Sequence, residues 1–285
     1  MRLLRDVLDT VRSAPWFALG LLTALVAAGF NGLMVFFMVL GLQALLPGPF
    51  AQMGHFTEPH HRIHDLTFAF LFLPAIVGVL AQLRRPARNV AAMWMALVPT
   101  GALVLTLVLT LAVGGNIRVL QPPWLTVAAG ALVATALDPA GGRLLRAFRL
   151  SRLSWPLLAL TLVAAVPLII FAAANIGSQG SAGDEHAAAG HYGFMAAFAF
   201  TVIAIGVLAS LRPDGWRLTA WIAGLLPVLL GAASLIYPDA SSSLAPLWAV
   251  AAIGWGAAYV VAAEIVRASQ NHNALMSQTT QAGGS

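Results

Sequence analysis

Histidine is the residue type in this chain whose placement most strongly suggests chemistry. The 285 residues include seven histidines, and six of these fall in two short polar stretches, 54–65 and 184–191. The six are His55, His60, His61, His64, His186 and His191. Imidazole binds transition metals and exchanges protons near neutral pH. The two stretches are therefore the candidate functional sites.

Acidic residues accompany the histidines, with Glu58 and Asp65 in the first stretch and Asp184 and Glu185 in the second. A carboxylate beside a metal-bound imidazole orients the ring or accepts its proton. Imidazole and carboxylate without thiolate favour zinc, copper, iron or nickel over calcium. Imidazole also serves as an axial ligand of haem. The alternative is that these residues only cap helices, with Asp65 as an N-terminal cap.

The spacing of the histidines predicts which of them share a helix face. His60 and His64 are four residues apart, so the two rings stack if the following helix begins one turn early. His186 and His191 are five apart, which requires a junction between a loop and a helix. The predicted metal ligands are His60, His61, His64, His186 and His191.

Composition determines what must position these residues. The chain is 60% apolar and only 9% charged, whereas soluble domains carry about 25% charged residues. Apolar runs of about 20 residues recur along its length, which is the length that crosses a bilayer as a helix. We therefore predict an all-α polytopic membrane protein whose main partner is the lipid bilayer, and a soluble enzyme is excluded. The absence of cysteine excludes disulfides, thiolate catalysis and iron–sulfur clusters.

Eight apolar segments can be drawn between loops that contain Pro, Gly, Asn or Asp. Their predicted ranges are 16–46, 66–83, 90–113, 119–137, 154–175, 192–211, 218–237 and 245–266.

The arginines predict the orientation of these segments. If all eight cross the membrane, 13 of the 15 arginines lie on one side, and only Arg62 and Arg118 lie on the other. The positive-inside rule then places both termini in the cytoplasm of a multi-pass cell (plasma) membrane protein, with the histidines on the extracytoplasmic side. The same distribution explains the net charge of +5 without nucleic acid as a partner.

An internal similarity indicates a duplication. Gly78–Pro86 matches Gly206–Pro213, and Pro123–Ala129 matches Pro246–Ala252. We therefore predict two pseudo-symmetric four-helix repeats, 1–140 and 141–267, followed by a disordered cytoplasmic tail, 268–285. Four spans in each repeat would relate the two by an axis along the membrane normal, and the histidine stretches would precede the second helix of each.

This pattern resembles the heme A synthase family, which has two four-helix halves and a Glu-x-x-His-Arg signature at the start of its second helix. The signature is matched by Glu58, His61 and Arg62. The resemblance implies that His61 and its counterpart His191 bind haem and that Glu58 is a catalytic acid or base. That family has a further histidine before its fourth and eighth helices, where this chain has none.

Two classes of function follow. The first is a membrane protein that binds a transition metal (zinc, copper or iron) or haem at an extracytoplasmic histidine site, as an oxidoreductase or a cofactor-modifying enzyme. Phe68, Phe72 and Phe194 would then wall a flat cofactor or a hydrophobic substrate, or else simply pack the helices. The alternative is a transporter of a small molecule or metal ion, built from the duplicated bundles.

Overall fold

In the computed structural model the chain is helical, and the part that the structure describes comprises residues 2–39, 61–84, 86, 89–120, 122–147 and 152–282. No strand occurs in these ranges. Its α-helices are α1 (Arg2–Ser13), α2 (Pro15–Val39), α3 (Arg62–Arg84), α4 (Val90–Ala112), α5 (Pro122–Ala136), α6 (Arg143–Arg146), α7 (Trp155–Ser181), α8 (Glu185–Ala189), α9 (His191–Ser210), α10 (Trp216–Ile236) and α11 (Pro246–Ala282).

Seven helices in the described ranges are long and apolar enough to cross a membrane, namely α2, α3, α4, α7, α9, α10 and α11. This confirms a multi-pass membrane protein. The lipid-facing side is clearest on α7, where Val163 and Ile170 are 67% and 65% exposed. In water such a surface would be costly, because each apolar side chain left exposed forgoes about 1.5–3 kcal/mol of burial.

The prediction of an eighth spanning helix is not confirmed, because α5 is too short. It has 15 residues and is therefore about 22 Å long, against a hydrocarbon thickness of about 30 Å. Pro122 and Pro123 occupy its first turn, where a missing N–H costs nothing. Just after its end the side chain of Asp138 accepts a hydrogen bond from the backbone N–H of Ala140 and forms a turn.

The helices α3 and α9 form the centre of the bundle. They contact each other, α3 also packs against α2, α4 and α10, and α9 packs against α4, α7 and α10. The burial of the helices agrees with this central position, since 78% of the α9 span is buried but only 22% of the α7 span. Both central helices begin at the end of the bundle that carries the histidines.

The two halves of the chain share one hydrophobic core. It includes Phe68 and Phe72 from α3, Trp124 from α5 and Phe194 and Phe198 from α9. Phe72 stacks on Trp124 with ring centres 4.5 Å apart, and Phe68 lies 4.6 Å from Phe194. The last helices of the two halves take different places, because α5 packs mainly on α2 whereas α11 packs mainly on α10. The two-repeat arrangement stays a prediction.

The ends of the chain depart from the sequence prediction. Residues 2–13 form the amphipathic helix α1, whose Asp6 carboxylate lies 3.5 Å from the guanidinium of Arg84 at the end of α3. Of the tail predicted to be disordered, 268–285, the structure describes 268–282 and places them in α11. The helix can continue there because residues 268–282 contain neither Gly nor Pro. Ser269 and His272 in this extension are exposed.

Candidate functional site

Four buried histidines meet at one end of the bundle, where α3 and α9 begin. His61 immediately precedes α3, His64 lies in the first turn of α3, His186 lies on α8, and His191 is the first residue of α9. Their exposed fractions are 2%, 0%, 7% and 6% respectively. We call these four residues the histidine cluster. The two polar stretches of the sequence, more than 100 residues apart, thus converge inside the protein.

A sharp junction between α8 and α9 brings His186 and His191 together. The residue before the short helix α8 is Asp184, whose side chain accepts a hydrogen bond from the N–H of Ala187 at 2.9 Å and so caps the helix. It ends at Gly190, which has a φ of +86°, a conformation that suits glycine. This is the loop-to-helix junction that the five-residue spacing requires.

Three members of the cluster are arranged as a metal-binding group. One nitrogen from each of His61, His186 and His191 lies within 4.8 Å of the others. The Nδ1 atoms of His61 and His191 are 3.3 Å apart. Two nitrogens bound to one tetrahedral zinc at 2.0–2.1 Å are about 3.3 Å apart. The triad could therefore hold a metal ion with little movement of His61 and His191.

The fourth histidine, His64, packs against the triad. Its ring centre is 4.8 Å from that of His186 and 5.4 Å from that of His191. Its Nε2 lies 3.3 Å from the hydroxyl oxygen of Ser242, in the loop between α10 and α11. That hydroxyl donates a hydrogen bond of 2.7 Å to the side-chain oxygen of Asn175 on α7.

Two carboxylates contact the outer side of the cluster. An oxygen of Glu185 lies 3.3 Å from Nε2 of His61, and its side chain is 61% exposed. An oxygen of Asp184 lies 3.9 Å from Nδ1 of His186, and it also accepts a hydrogen bond of 2.7 Å from the hydroxyl of Tyr192. Carboxylates that contact imidazoles in this way fix the tautomer and orientation of metal ligands.

The ionisation of Asp184 follows from its surroundings. Partial burial by itself raises the pKa of Asp184, but hydrogen bonds from the N–H of Ala187 and the hydroxyl of Tyr192, together with nearby His186, outweigh it. The pKa of this carboxyl is therefore lower than usual, and the group carries negative charge beside the cluster at neutral pH.

The remaining predicted residues are placed as follows. Glu58 and His60, together with His55, lie outside the described residues. Asp65 is buried in the first turn of α3, 4% exposed. It lies inside the helix and not at its N-cap, because α3 begins at Arg62. Arg62, the last residue of the Glu-x-x-His-Arg signature, donates a hydrogen bond to the hydroxyl of Tyr237 on the loop after α10.

The arrangement of His61 and His191 does not fit a haem held between them. Beneath them, Phe68 and Phe194 pack with ring centres 4.6 Å apart, and a flat ring system inserted there needs about 7 Å. These phenylalanines pack the helices instead of walling a cleft.

Ser242 and Asn175 could not be assigned to the site from the sequence. Ser242 carries no signal in the sequence, because a serine in a loop is common and its position beside His64 depends on how α10 and α11 pack. Asn175 is an amide inside an apolar helix, which indicates an interhelical hydrogen bond, but its partner was not predictable.

Comparisons with known proteins add no further assignment. No protein-family model, no curated protein and no solved structure matches the chain. The function is therefore argued from the geometry of the histidine cluster.

Proposed function

We propose that this chain is a membrane protein that binds a transition metal ion directly through His61, His186 and His191. The observation that carries the proposal is the convergence of three buried imidazoles, with one nitrogen from each within 4.8 Å of the others.

The donor atoms favour a particular class of ion. Imidazole nitrogens suit zinc, copper and iron, whereas calcium and magnesium prefer oxygen ligands. The nearby carboxylates of Asp184 and Glu185 compensate part of the charge of a divalent ion. Zinc at about 2.0–2.1 Å from each nitrogen fits the 3.3 Å separation of His61 and His191.

A directly bound ion is better supported than haem, although the heme A synthase family uses haem. A haem between His61 and His191 would require the phenylalanines below them, whose ring centres are 4.6 Å apart, to separate. An ion would require only that the ligand nitrogens, now within 4.8 Å of one another, move closer together. An activity of the oxidoreductase or cofactor-modifying kind is implied only by the resemblance of Glu58, His61 and Arg62 to that family's signature.

The site belongs, on this proposal, to the extracytoplasmic end of the bundle. Arg84 ends α3 and Arg212 follows α9, so the arginines lie at the opposite end of these helices from the histidines. A helix of 23 residues such as α3 separates the two ends by about 35 Å. The positive-inside rule assigns the arginine end to the cytoplasm.

The test is the metal content of the purified full-length chain in detergent at neutral pH. We expect about one equivalent of a transition metal, retained or taken up on titration with zinc. His61→Ala and His191→Ala should each lower the affinity at least about 100-fold, since loss of a ligand costs more than the 10- to 100-fold loss of an outer partner. His272→Ala, which changes an exposed histidine of α11, is the matched control.

Two results would overturn the proposal. One is a wild-type protein that contains no metal and binds none on titration. The other is binding that His61→Ala and His191→Ala leave unchanged. A visible spectrum of the same preparation reports haem, and a haem band that is lost in both variants would favour the family's cofactor over a bare ion.

A further inference from the structure

Building on the proposed metal site, we propose that His64 is a fourth imidazole ligand and that Ser242 and Asn175 position it. The ion is then enclosed by four nitrogens, two from the start of α3 and two from α8 and α9. His64 lies on α3, Ser242 in the loop after α10, and Asn175 on α7. The inference rests on the contacts among these three residues.

A chain of hydrogen bonds determines the tautomer of His64. The side-chain NH₂ of Asn175 donates to the carbonyl of Phe171 at 2.9 Å, so its oxygen faces Ser242 as an acceptor. The hydroxyl of Ser242 donates its one hydrogen to that oxygen at 2.7 Å. Towards His64 the hydroxyl therefore acts as an acceptor, and the Nε2 of His64, 3.3 Å away, is the donor.

The consequence is a lone pair on the other nitrogen of His64. A neutral imidazole has one N–H and one lone pair. With the hydrogen on Nε2, the lone pair is on Nδ1, which is the form that a metal ligand needs. An outer hydrogen bond of this kind is how proteins select the metal-binding nitrogen of a histidine.

The spacing of the rings agrees with four ligands around one ion. With bonds of 2.0–2.1 Å, ring centres lie about 3.2 Å from the metal, so tetrahedral neighbours have centres about 5.2 Å apart. Within the triad the ring centres are 4.4, 5.1 and 5.8 Å apart. The ring centre of His64 lies 4.8 and 5.4 Å from those of His186 and His191, inside the same range. The nitrogens that lie within 4.8 Å of one another are those of the triad, so His64 must move towards the ion to bind it.

The backbone conformation at Ser242 agrees with a positioning role. Ser242 has a φ of +66°, in the left-handed region that residues other than glycine, asparagine and aspartate seldom adopt. Such conformations persist where the surrounding structure demands them, and they concentrate at functional sites. Here the conformation places the hydroxyl between Asn175 and His64.

A four-imidazole set implies a closed site. Structural zinc sites use four protein ligands, whereas catalytic ones keep a position open for water or substrate. The ion would therefore be a resident one that ties α3 to α9, and chemistry on a bound substrate would need one ligand to leave.

The test uses cobalt(II) bound to the purified full-length protein as a spectroscopic probe. Tetrahedral cobalt absorbs visible light much more strongly than five- or six-coordinate cobalt, and X-ray absorption counts its nitrogen ligands. We expect four nitrogens and intense absorption in the wild type. His64→Ala should keep one equivalent of cobalt but show three nitrogens and one oxygen, with a shifted visible band, as water takes the place of the imidazole.

Ser242→Ala tests the positioning role. It should lower the cobalt affinity about 10- to 100-fold, as loss of an outer hydrogen bond to a ligand does, and should alter the spectrum. Ser243→Ala is the matched control, because that neighbouring hydroxyl bonds the carbonyl of Tyr237 within the same turn. Its spectrum should equal that of the wild type.

The outcomes separate this inference from the proposal that it rests on. A wild-type site with three nitrogens and an oxygen overturns the role of His64, and this measurement needs no variant to fold. Cobalt binding that depends on His61 but has the same spectrum in His64→Ala and Ser242→Ala also overturns it. A wild type that binds no cobalt, zinc or copper instead overturns the metal site itself.

Discussion

Replacing Glu185 with glutamine changes the charge beside the histidine cluster with little change of shape. An oxygen of Glu185 lies 3.3 Å from Nε2 of His61. The Nδ1 of the same ring is 3.3 Å from Nδ1 of His191, so Nδ1 is the nitrogen that faces the metal. The negative charge of the carboxylate beside Nε2 would then favour the hydrogen on that nitrogen and make the ring a better ligand through Nδ1.

The expected loss of metal affinity in Glu185→Gln is about tenfold. Removal of such outer partners typically costs 10- to 100-fold, which corresponds to about 1.4–2.7 kcal/mol. The side chain of Glu185 is 61% exposed, and water screens interactions of exposed charges. The effect should therefore fall at the low end of that range.

Glu185 is a cleaner position for this experiment than Asp184. The carboxylate of Asp184 caps α8 through the N–H of Ala187 and also accepts from Tyr192. Replacing it would remove a helix cap, which costs about 1 kcal/mol, along with any effect on His186. A change in affinity could not then be assigned to the metal site alone.

The assay is a competition titration of zinc between the purified protein and a chromophoric chelator. Glu264→Gln is the control, because it makes the same charge change. Glu264 pairs with Arg217 and accepts a hydrogen bond from Trp221 near the far end of the spanning part of α11. A Glu185→Gln protein whose zinc affinity stays within twofold of the wild type would refute the role of this carboxylate. An equal loss in Glu264→Gln would show that the effect is one of net charge.

Two further predictions concern orientation and the α8–α9 junction. Since the chain has no cysteine, Ser181→Cys and Ser269→Cys each carry one thiol. A membrane-impermeant maleimide should label the first on intact cells and the second only after permeabilisation, and the reverse pattern would contradict the proposed topology. Gly190→Ala should lower the free energy of unfolding by about 2–4 kcal/mol. The backbone at residue 190 is left-handed, which is unfavourable for alanine, and the added Cβ would meet the backbone of Arg118 at 2.6 Å. Gly183→Ala, whose Cβ meets nothing within 4 Å, should change the melting temperature little, and similar melting temperatures for the two variants would disprove the reasoning.

The spanning helices were predictable because each is defined by its own residues. A bilayer requires about 20 apolar residues in a row, and the ends of α3, α4, α9 and α10 lie within a few residues of the predicted segments. The fourth predicted segment is the exception, because its helix is too short to be counted as a spanning one. Its apolar run is long enough when residues 119–121 are counted, but Pro122 and Pro123 start the helix late, so α5 is only 15 residues long.

The candidate site was predictable as a set of residue types but not as an arrangement. Histidines in two distant stretches indicate metal chemistry by their number and by the acidic residues beside them. Whether His61 meets His191 depends on α3 packing beside α9, and neither helix carries a local signal for its neighbour. The same limit explains why Ser242 was missed, since its contact with His64 depends on a turn with a φ of +66°.

The sequence by itself determined that this is a helical membrane protein and that its chemistry, if any, lies in two histidine-containing stretches. These conclusions depend on hydropathy and residue type, which act locally along the chain. The tertiary structure decided that four imidazoles are buried against one another, with Glu185 at the surface and Ser242 beside His64. The physical reason is that coordination requires nitrogens a few ångströms apart, and only the packing of α3 against α9 sets distances between residues 130 positions apart in the chain.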